Sequence, residues 1–248
     1  MKRQIPFVFV LTALFVFAAA YSAAQELSSA LKPVPRFDKW WIDRWAKNVE
    51  DFNKGDIDLL MIGDSITHGW EGGGKAVWAK YYAHRKPVNM GFSGDRTEHV
   101  LWRLEYLPLN KINPKAAVLM IGTNNIGHKE GSAPKDAADG IKAIVQKLEK
   151  TYPNMKILVL YVFPRGNQPD DGARKKVDEI NSYLPELLKD EKNVTLLNIN
   201  KVFLDESDIL QPAVMKDFLH PGADGYQLWA EAIETTLAKM LGDAEVTK

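Results

Sequence analysis

The chain has 248 residues with 32 basic and 32 acidic side chains, so it carries no formal net charge. Neither nucleic acid nor an anionic membrane surface is expected as a partner, because both are held by an excess of positive charge. Cysteine is absent, which excludes disulfides, a thiol nucleophile, thiolate zinc sites, iron–sulfur clusters and a lipid-modified cysteine, and leaves stability to an apolar core.

The first residues read as a targeting segment. Lys2 and Arg3 precede an apolar stretch from Ile5 to Ala20, and Ser22-Ala23-Ala24 supplies small residues for a signal peptidase. The stretch is short for a membrane span of about 20 residues, and no second run of that length follows. The expectation is a signal peptide over residues 1–24, cleaved near Ala24, then a single domain over 25–248. Such a protein is periplasmic or secreted, with no stable membrane insertion after cleavage.

After a Pro-containing lead-in (Lys32 to Pro35), a helix is expected from about Phe37 to Phe52, with Trp41, Trp45 and Val49 on one stripe. Five apolar runs then read as buried strands: Ile57–Ile62, Val88–Phe92, Ala116–Ile121, Met155–Val162 and Val194–Ile199. Helical patterns lie between and after them. Ala137, Ile141, Ile144, Val145 and Leu148 form one apolar face, and Val177, Ile180, Leu184, Leu187 and Leu188 form another. A closing helix places Tyr226, Trp229, Ile233 and Leu237 together. Short apolar strands alternating with amphipathic helices imply an α/β fold, a five-stranded parallel sheet covered on both faces in a flavodoxin-like three-layer α/β/α sandwich. In such sheets, sites gather at the carboxyl ends of the strands.

Those ends carry the polar residues of the chain with most chemical promise. The first runs into Gly63-Asp64-Ser65, the second into Ser93-Gly94-Asp95, the third into Gly122-Thr123-Asn124-Asn125 and the fourth into Pro164-Arg165-Gly166. A later loop holds Asp217-Phe218-Leu219-His220. A serine hydroxyl needs a base to take its proton and a third group to orient that base. Ser65 on a tight strand-to-helix turn is the candidate nucleophile, His220 the base, and Asp217 the orienting carboxylate. The Ser65 and Gly94 N–H groups and the Asn124 amide are candidate donors to an oxyanion, and Gly94 lets the backbone approach because it has no Cβ. Taken singly, each has a bland reading as helix cap, loop glycine or turn former. Their convergence on one sheet edge favours the functional one.

These blocks, in this order, resemble the SGNH (GDSL-type) hydrolase superfamily over about Asp58 to Trp229. The strings Gly94-Asp95-Arg96-Thr97-Glu98-His99-Val100-Leu101-Trp102-Arg103-Leu104, Gly122-Thr123-Asn124-Asn125, Pro164-Arg165-Gly166 and Asp217-Phe218-Leu219-His220 are most similar to the branch of the platelet-activating-factor acetylhydrolase catalytic subunits. The resemblance implies a serine esterase with the roles just given, needing no metal and no cofactor, and favouring acetyl groups. Ile66 stands where the name-giving motif has leucine. Asn125 stands where many members have aspartate, a form this branch shares. The expected signal peptide departs further, so the phospholipid substrate of the animal enzymes does not transfer with the motifs.

The remaining expectations concern the substrate. Ile66, Thr123 and Leu219 are placed beside the reacting groups, where they would narrow an acyl pocket, and Asp64 adjoins the nucleophile. Gly69-Trp70-Glu71-Gly72-Gly73-Gly74-Lys75-Ala76 nearly spells a phosphate-binding loop, but Ala76 lacks the hydroxyl that would hold Mg²⁺. It reads instead as a flexible rim loop, with Trp70 on the leaving-group side or simply packing the loop. His68 is a rival base that lacks an attached Asp-x-x-His turn; His84, His99 and His128 are structural or exposed. Asn193-Val194-Thr195 matches a glycosylation sequon. The expected function is an exported esterase for short acyl groups, with carbohydrate O-acetyl groups as the substrate class. Lysophospholipid, aryl ester and thioester substrates are alternatives, as is a non-catalytic binding module. The partner is a small-molecule or carbohydrate ester, and the animal relatives' pairing makes a homodimer an open possibility.

Overall fold

The computed structural model describes residues 28–127 and 131–247. The expected signal peptide and its cleavage site near Ala24, and also His128, lie outside these residues.

The chain order is α1 (Lys39–Lys54), β1 (Leu59–Gly63), α2 (Ser65–His68), α3 (Lys75–Tyr81), β2 (Pro87–Gly91), α4 (Thr97–Tyr106), β3 (Ala116–Met120) and α5 (Thr123–Gly127). It continues through α6 (Pro134–Thr151), β4 (Lys156–Leu160), α7 (Gly172–Leu188), β5 (Val194–Leu197) and α8 (Ala223–Leu241). The strands form one all-parallel sheet in the order β2-β1-β3-β4-β5, the flavodoxin-like arrangement expected from the sequence.

Strand alternation sorts the side chains into two cores. Leu60, Ile62, Leu119 and Val159 pack with the buried residues of α4, α6 and α7 on one face. Leu59, Met61, Val118 and Leu158 pack with α3 and α8 on the other. Burial on both faces is why β1 to β4 read as nearly unbroken apolar runs rather than alternating ones, whereas β5, expected to be buried, lies at the sheet edge, is only half-buried and exposes Thr195. The stripes expected for α6 and α8 are buried throughout. On α1 only Trp41 of the expected stripe is fully buried, while Trp45 and Val49 are partly covered.

All strands but β2 are shorter than their apolar runs, and β4 shows why. Val162 lies in the expected run, but its N–H donates to Asn181 Oδ1 at 2.8 Å and its carbonyl accepts from Asn181 Nδ2 at 2.9 Å. A side chain of α7 thus takes the place of a neighbouring strand.

Register brings the strand ends into line. Gly63 pairs with Gly91 on one side and with Met120 on the other. The short α2 then crosses the end of β2 so closely that a Cβ on Gly91 would lie 2.1 Å from the His68 nitrogen. Only glycine permits that approach. It sets α2 directly over the sheet edge. No helix among the described residues is long and apolar enough to cross a membrane.

Candidate active site

Ser65 is the first residue of α2. Asp64 caps the helix, its Oδ1 accepting from the Ile66 N–H at 2.9 Å, while its carbonyl accepts the first helical bond from His68 N–H at 2.8 Å. The Ser65 N–H therefore belongs to the first turn, whose donors have no partner within the helix and point toward incoming negative charge.

A continuous chain of hydrogen bonds runs from that serine. Ser65 Oγ lies 2.8 Å from His220 Nε2, and His220 Nδ1 lies 2.6 Å from Asp217 Oδ2. The carboxylate on Nδ1 draws the ring proton there and leaves Nε2 to accept from the serine hydroxyl. Asp217 is tied in turn by the N–H groups of His220, at 2.8 Å, and Leu219, at 3.1 Å, on Oδ1. Partial burial works to raise the Asp217 pKa, but the hydrogen bonds from His220 and these amides outweigh it and hold the carboxyl below its ordinary range. The turn requires Phe218 in the left-handed region, with φ of 56°. Its carbonyl accepts from the Gly166 N–H at 2.9 Å, joining the turn to the end of β4.

The loop after β2 is held from beneath. Asp95, fully buried, accepts from Trp41 Nε1 at 2.8 Å and from Arg103 Nε at 2.9 Å. Its backbone carbonyl accepts from Asn124 Nδ2 at 3.0 Å. One residue earlier, Gly94 takes φ of 79°, a conformation that L side chains rarely adopt. Asn124 is thereby fastened to the Gly94–Asp95 loop, with one amide hydrogen still to donate. Burial raises the pKa of Asp95 and lowers that of Arg103, and their mutual attraction opposes both shifts.

Several residues expected at the substrate stand elsewhere. Trp70 is 1% exposed and packs against Trp78, Tyr82, Tyr226 and Trp229, so it belongs to the core rather than the rim. Its loop is an ordered turn: Gly72 and Gly74 N–H both bond to the Gly69 carbonyl, at 2.9 and 3.0 Å. Ile66 and Thr123 are buried, Ile66 in the α8-side core. Asp64 is a buried cap, and burial pushes its carboxyl up to about 7. Leu219 remains half-buried against that core.

His68 and His99 have partners other than Ser65. His68 Nδ1 meets Ser93 Oγ at 3.0 Å, and the ring lines a cleft of about 480 Å³ shared with Ser65 and His220. His99 Nδ1 accepts from the Arg96 N–H at 2.9 Å and caps α4. Asn125 donates to Thr97 Oγ1 at 3.0 Å and to Glu98 Oε2 at 3.2 Å, and its Oδ1 accepts from the Thr97 N–H at 3.1 Å. An aspartate there would face Glu98 with like charge, which gives the asparagine of this chain a reason. No group of three or more His, Asp or Glu that could hold a metal ion occurs among the described residues.

The Asp95–Arg103–Trp41 clamp has no part in the sequence expectations above. A signal was present: Arg103 is a charge set among Val100, Leu101 and Leu104 on an otherwise apolar helix face, where a buried partner is obligatory.

With this geometry in hand, the chain can be set beside known proteins. The family described as GDSL-like Lipase/Acylhydrolase matches residues 61–228. The chain is 32% identical over 211 residues to platelet-activating factor acetylhydrolase IB subunit alpha2 of Rattus norvegicus, covering 85% of this chain and 89% of that protein. It is 31% identical to subunit alpha1 of Homo sapiens, covering 87% and 92%. Similar solved structures include a GDSL-like lipase from Bacteroides thetaiotaomicron, with a TM-score of 0.66, 21% identity and coverage of 79% and 97%. An acetylxylan esterase from Geobacillus stearothermophilus has a TM-score of 0.59, 18% identity and coverage of 78% and 98%.

Proposed function

Because the chain belongs to the GDSL-like lipase and acylhydrolase family and is a hydrolase of carboxylic esters, we propose that it removes short acyl groups, acetyl above all, through an acyl-enzyme on Ser65. The observation that carries this reading is the unbroken relay from Asp217 through His220 to Ser65, at 2.6 and 2.8 Å.

In the first half-reaction His220 Nε2 takes the Ser65 proton as Oγ attacks the ester carbonyl carbon. The charge on the carbonyl oxygen is met by the N–H groups of Ser65 and Gly94 and by the free Asn124 amide hydrogen. His220 then gives its proton to the alcohol oxygen as the C–O bond breaks. Water repeats the sequence on the acyl-enzyme, with His220 again as base, and the acid departs.

Two observations support a short acyl chain. The relatives with the highest identity reported above carry the name acetylhydrolase, and a structure of like fold is named an acetylxylan esterase. Carbohydrate O-acetyl groups are the proposed substrates. The second reading is an acetylated phospholipid, favoured by the 32% identity with the rat subunit. Export of the chain rests on the charged, apolar and small-residue segments over residues 1–24.

Hydrolysis of p-nitrophenyl acetate, butyrate and octanoate, beside acetylated xylan and an acetylated choline phospholipid, tests the reading. The rate is expected to fall from acetate to octanoate, and octanoate ahead of acetate would refute the short-acyl reading. Sequencing the N-terminus of protein recovered from outside the cytoplasm tests export, with Gln25 expected first.

A further inference from the structure

The alcohol half of an ester departs on the side of His220, since that ring must hand it a proton. The cleft beside the triad is lined by Ser65 and His220 together with His68, Glu71, Gly72 and Ser93. Whatever leaves as alcohol is received there.

The cleft wall is polar and pre-set. His68 Nδ1 lies 3.0 Å from Ser93 Oγ, and the Glu71 carboxylate stands 4.0 Å from His68 Nε2. That carboxylate favours a proton on Nε2 and leaves Nδ1 to accept from the serine hydroxyl. Glu71 is itself fixed by Arg44, whose two terminal nitrogens donate to it at 2.9 and 2.6 Å. Burial and the Arg44 charge lower the pKa of His68, so the ring is neutral at neutral pH. His68 thus presents one N–H and Glu71 presents acceptor lone pairs, both in fixed positions.

Next to this wall stands a flat apolar surface. Trp40, 40% exposed, lies with its ring nearly parallel to His68, at an interplanar angle of 19° and a centroid separation of 6.3 Å. On Trp40 sits the Arg36 guanidinium, 5.3 Å from the ring centroid. Arg36 also donates to the Ser93 carbonyl at 2.7 Å, which ties the indole to the loop that carries Gly94.

The part of the Trp40 indole that His68 and Arg36 leave exposed, bordered by fixed donors and acceptors, matches a pyranose ring. Its C–H face packs on the indole while its hydroxyls reach the directional polar groups. An alkyl chain matches poorly, because it would take water from Glu71, Arg44 and His68 without returning a hydrogen bond. We propose that Trp40, His68 and Glu71 form a glycosyl subsite for the alcohol half of the substrate. The subsite rests on the ester-hydrolase reading above and selects its carbohydrate branch.

The test compares wild type, Trp40→Ala and Trp40→Phe on an acetylated xylo-oligosaccharide, p-nitrophenyl acetate and an acetylated choline phospholipid. For Trp40→Ala, the ratio of kcat/KM on the sugar ester to that on p-nitrophenyl acetate should fall about tenfold or more, with the loss in KM. Trp40→Phe should restore most of it, which a general loosening of the fold would not allow. Separately, unacetylated xylotriose should bind Ser65→Ala in calorimetry and bind it more weakly when Trp40→Ala is added. An unchanged ratio, with no xylotriose binding, would overturn the subsite and leave the esterase reading intact. A selective loss on the phospholipid would overturn the sugar assignment in favour of a lipid. Wild-type turnover in Ser65→Ala would instead sink the reading on which the subsite rests.

Discussion

Ser65, at the head of α2, and Gly94, in the loop after β2, are continuous with the core, whereas Asp217 and His220 sit in a turn that stands in solvent. Beneath the first pair, Asp64, Asp95 and Arg103 are wholly buried. In the second pair the side chains of His220 and Asp217 are 42% and 57% exposed. The proposed nucleophile and oxyanion loop are held by groups that cannot be removed without harming the fold. The proposed base is held by a local device: one carboxylate, two amides and a left-handed Phe218. Substitutions in the solvent-side turn should therefore cost activity alone, whereas those beneath Ser65 and Gly94 should cost stability as well.

The largest separation is expected on the solvent side. His220→Ala should lower kcat by roughly 10⁴-fold or more, while its melting temperature stays within a few degrees of wild type in calorimetry. Unfolding of the protein at the same temperature as activity loss would break the contrast.

On the core side, Arg103→Met should destabilise the protein by about 3–5 kcal/mol, because it removes the guanidinium hydrogen-bonded to the buried Asp95 at 2.9 Å and leaves only Arg36, 3.6 Å away, to offset that charge. Chemical denaturation reads this directly. Activity should fall as well, since the Asp95 carbonyl also holds Asn124. A stable, fully active Arg103→Met would show that the clamp does not position the loop.

A pH experiment sharpens the same point. Asp64 is buried and its carboxyl is pushed up to about 7, against an ordinary value of 3.8. Between those values the native state keeps a proton that the unfolded chain releases, so this group's contribution to stability falls as pH rises through about 7. The full loss is about 4 kcal/mol at most. Asp64→Asn keeps a capping side chain and should flatten that slope in denaturation series from pH 4 to 8. A mutant whose stability follows the same pH dependence as wild type would contradict the assignment.

The smallest of these effects belongs to Asp217→Asn. It should cost about 10²-fold in kcat, less than the loss of a buried orienting carboxylate, because water at this exposed site supplies some of the lost stabilisation. Steady-state kinetics with an unchanged melting temperature would bear this out. A loss as large as that of His220→Ala would mean that the turn is less solvated in the working enzyme.

The same division explains what could be read from the residues alone. The inner strands were legible because burial on both faces leaves nothing but apolar residues in runs such as Leu59–Ile62, and the half-buried edge strand β5 kept enough apolar residues to be read with them. Asp217 and His220 were legible because three residues of spacing suffice for one turn. The long-range placements were not. Trp70 and Trp40 are both tryptophans near the site, yet only packing against Tyr226 and Trp229, whose positions depend on α8, sends Trp70 into the core. Ile66 adjoins Ser65 in sequence but faces the α8-side core, because helix geometry turns successive side chains by about 100°. Strand ends were overrun for a similar reason: Asn181 on α7 takes the backbone bonds of Val162, a contact no local pattern encodes.

The most direct test of the account is acid-quenched intact-mass and peptide mapping during the first turnovers with p-nitrophenyl acetate. One acetyl group should be found on Ser65 in the wild type and none in Ser65→Ala, whose turnover should be lost. An acetyl group on another residue, or a Ser65→Ala protein that turns over like wild type, would contradict it.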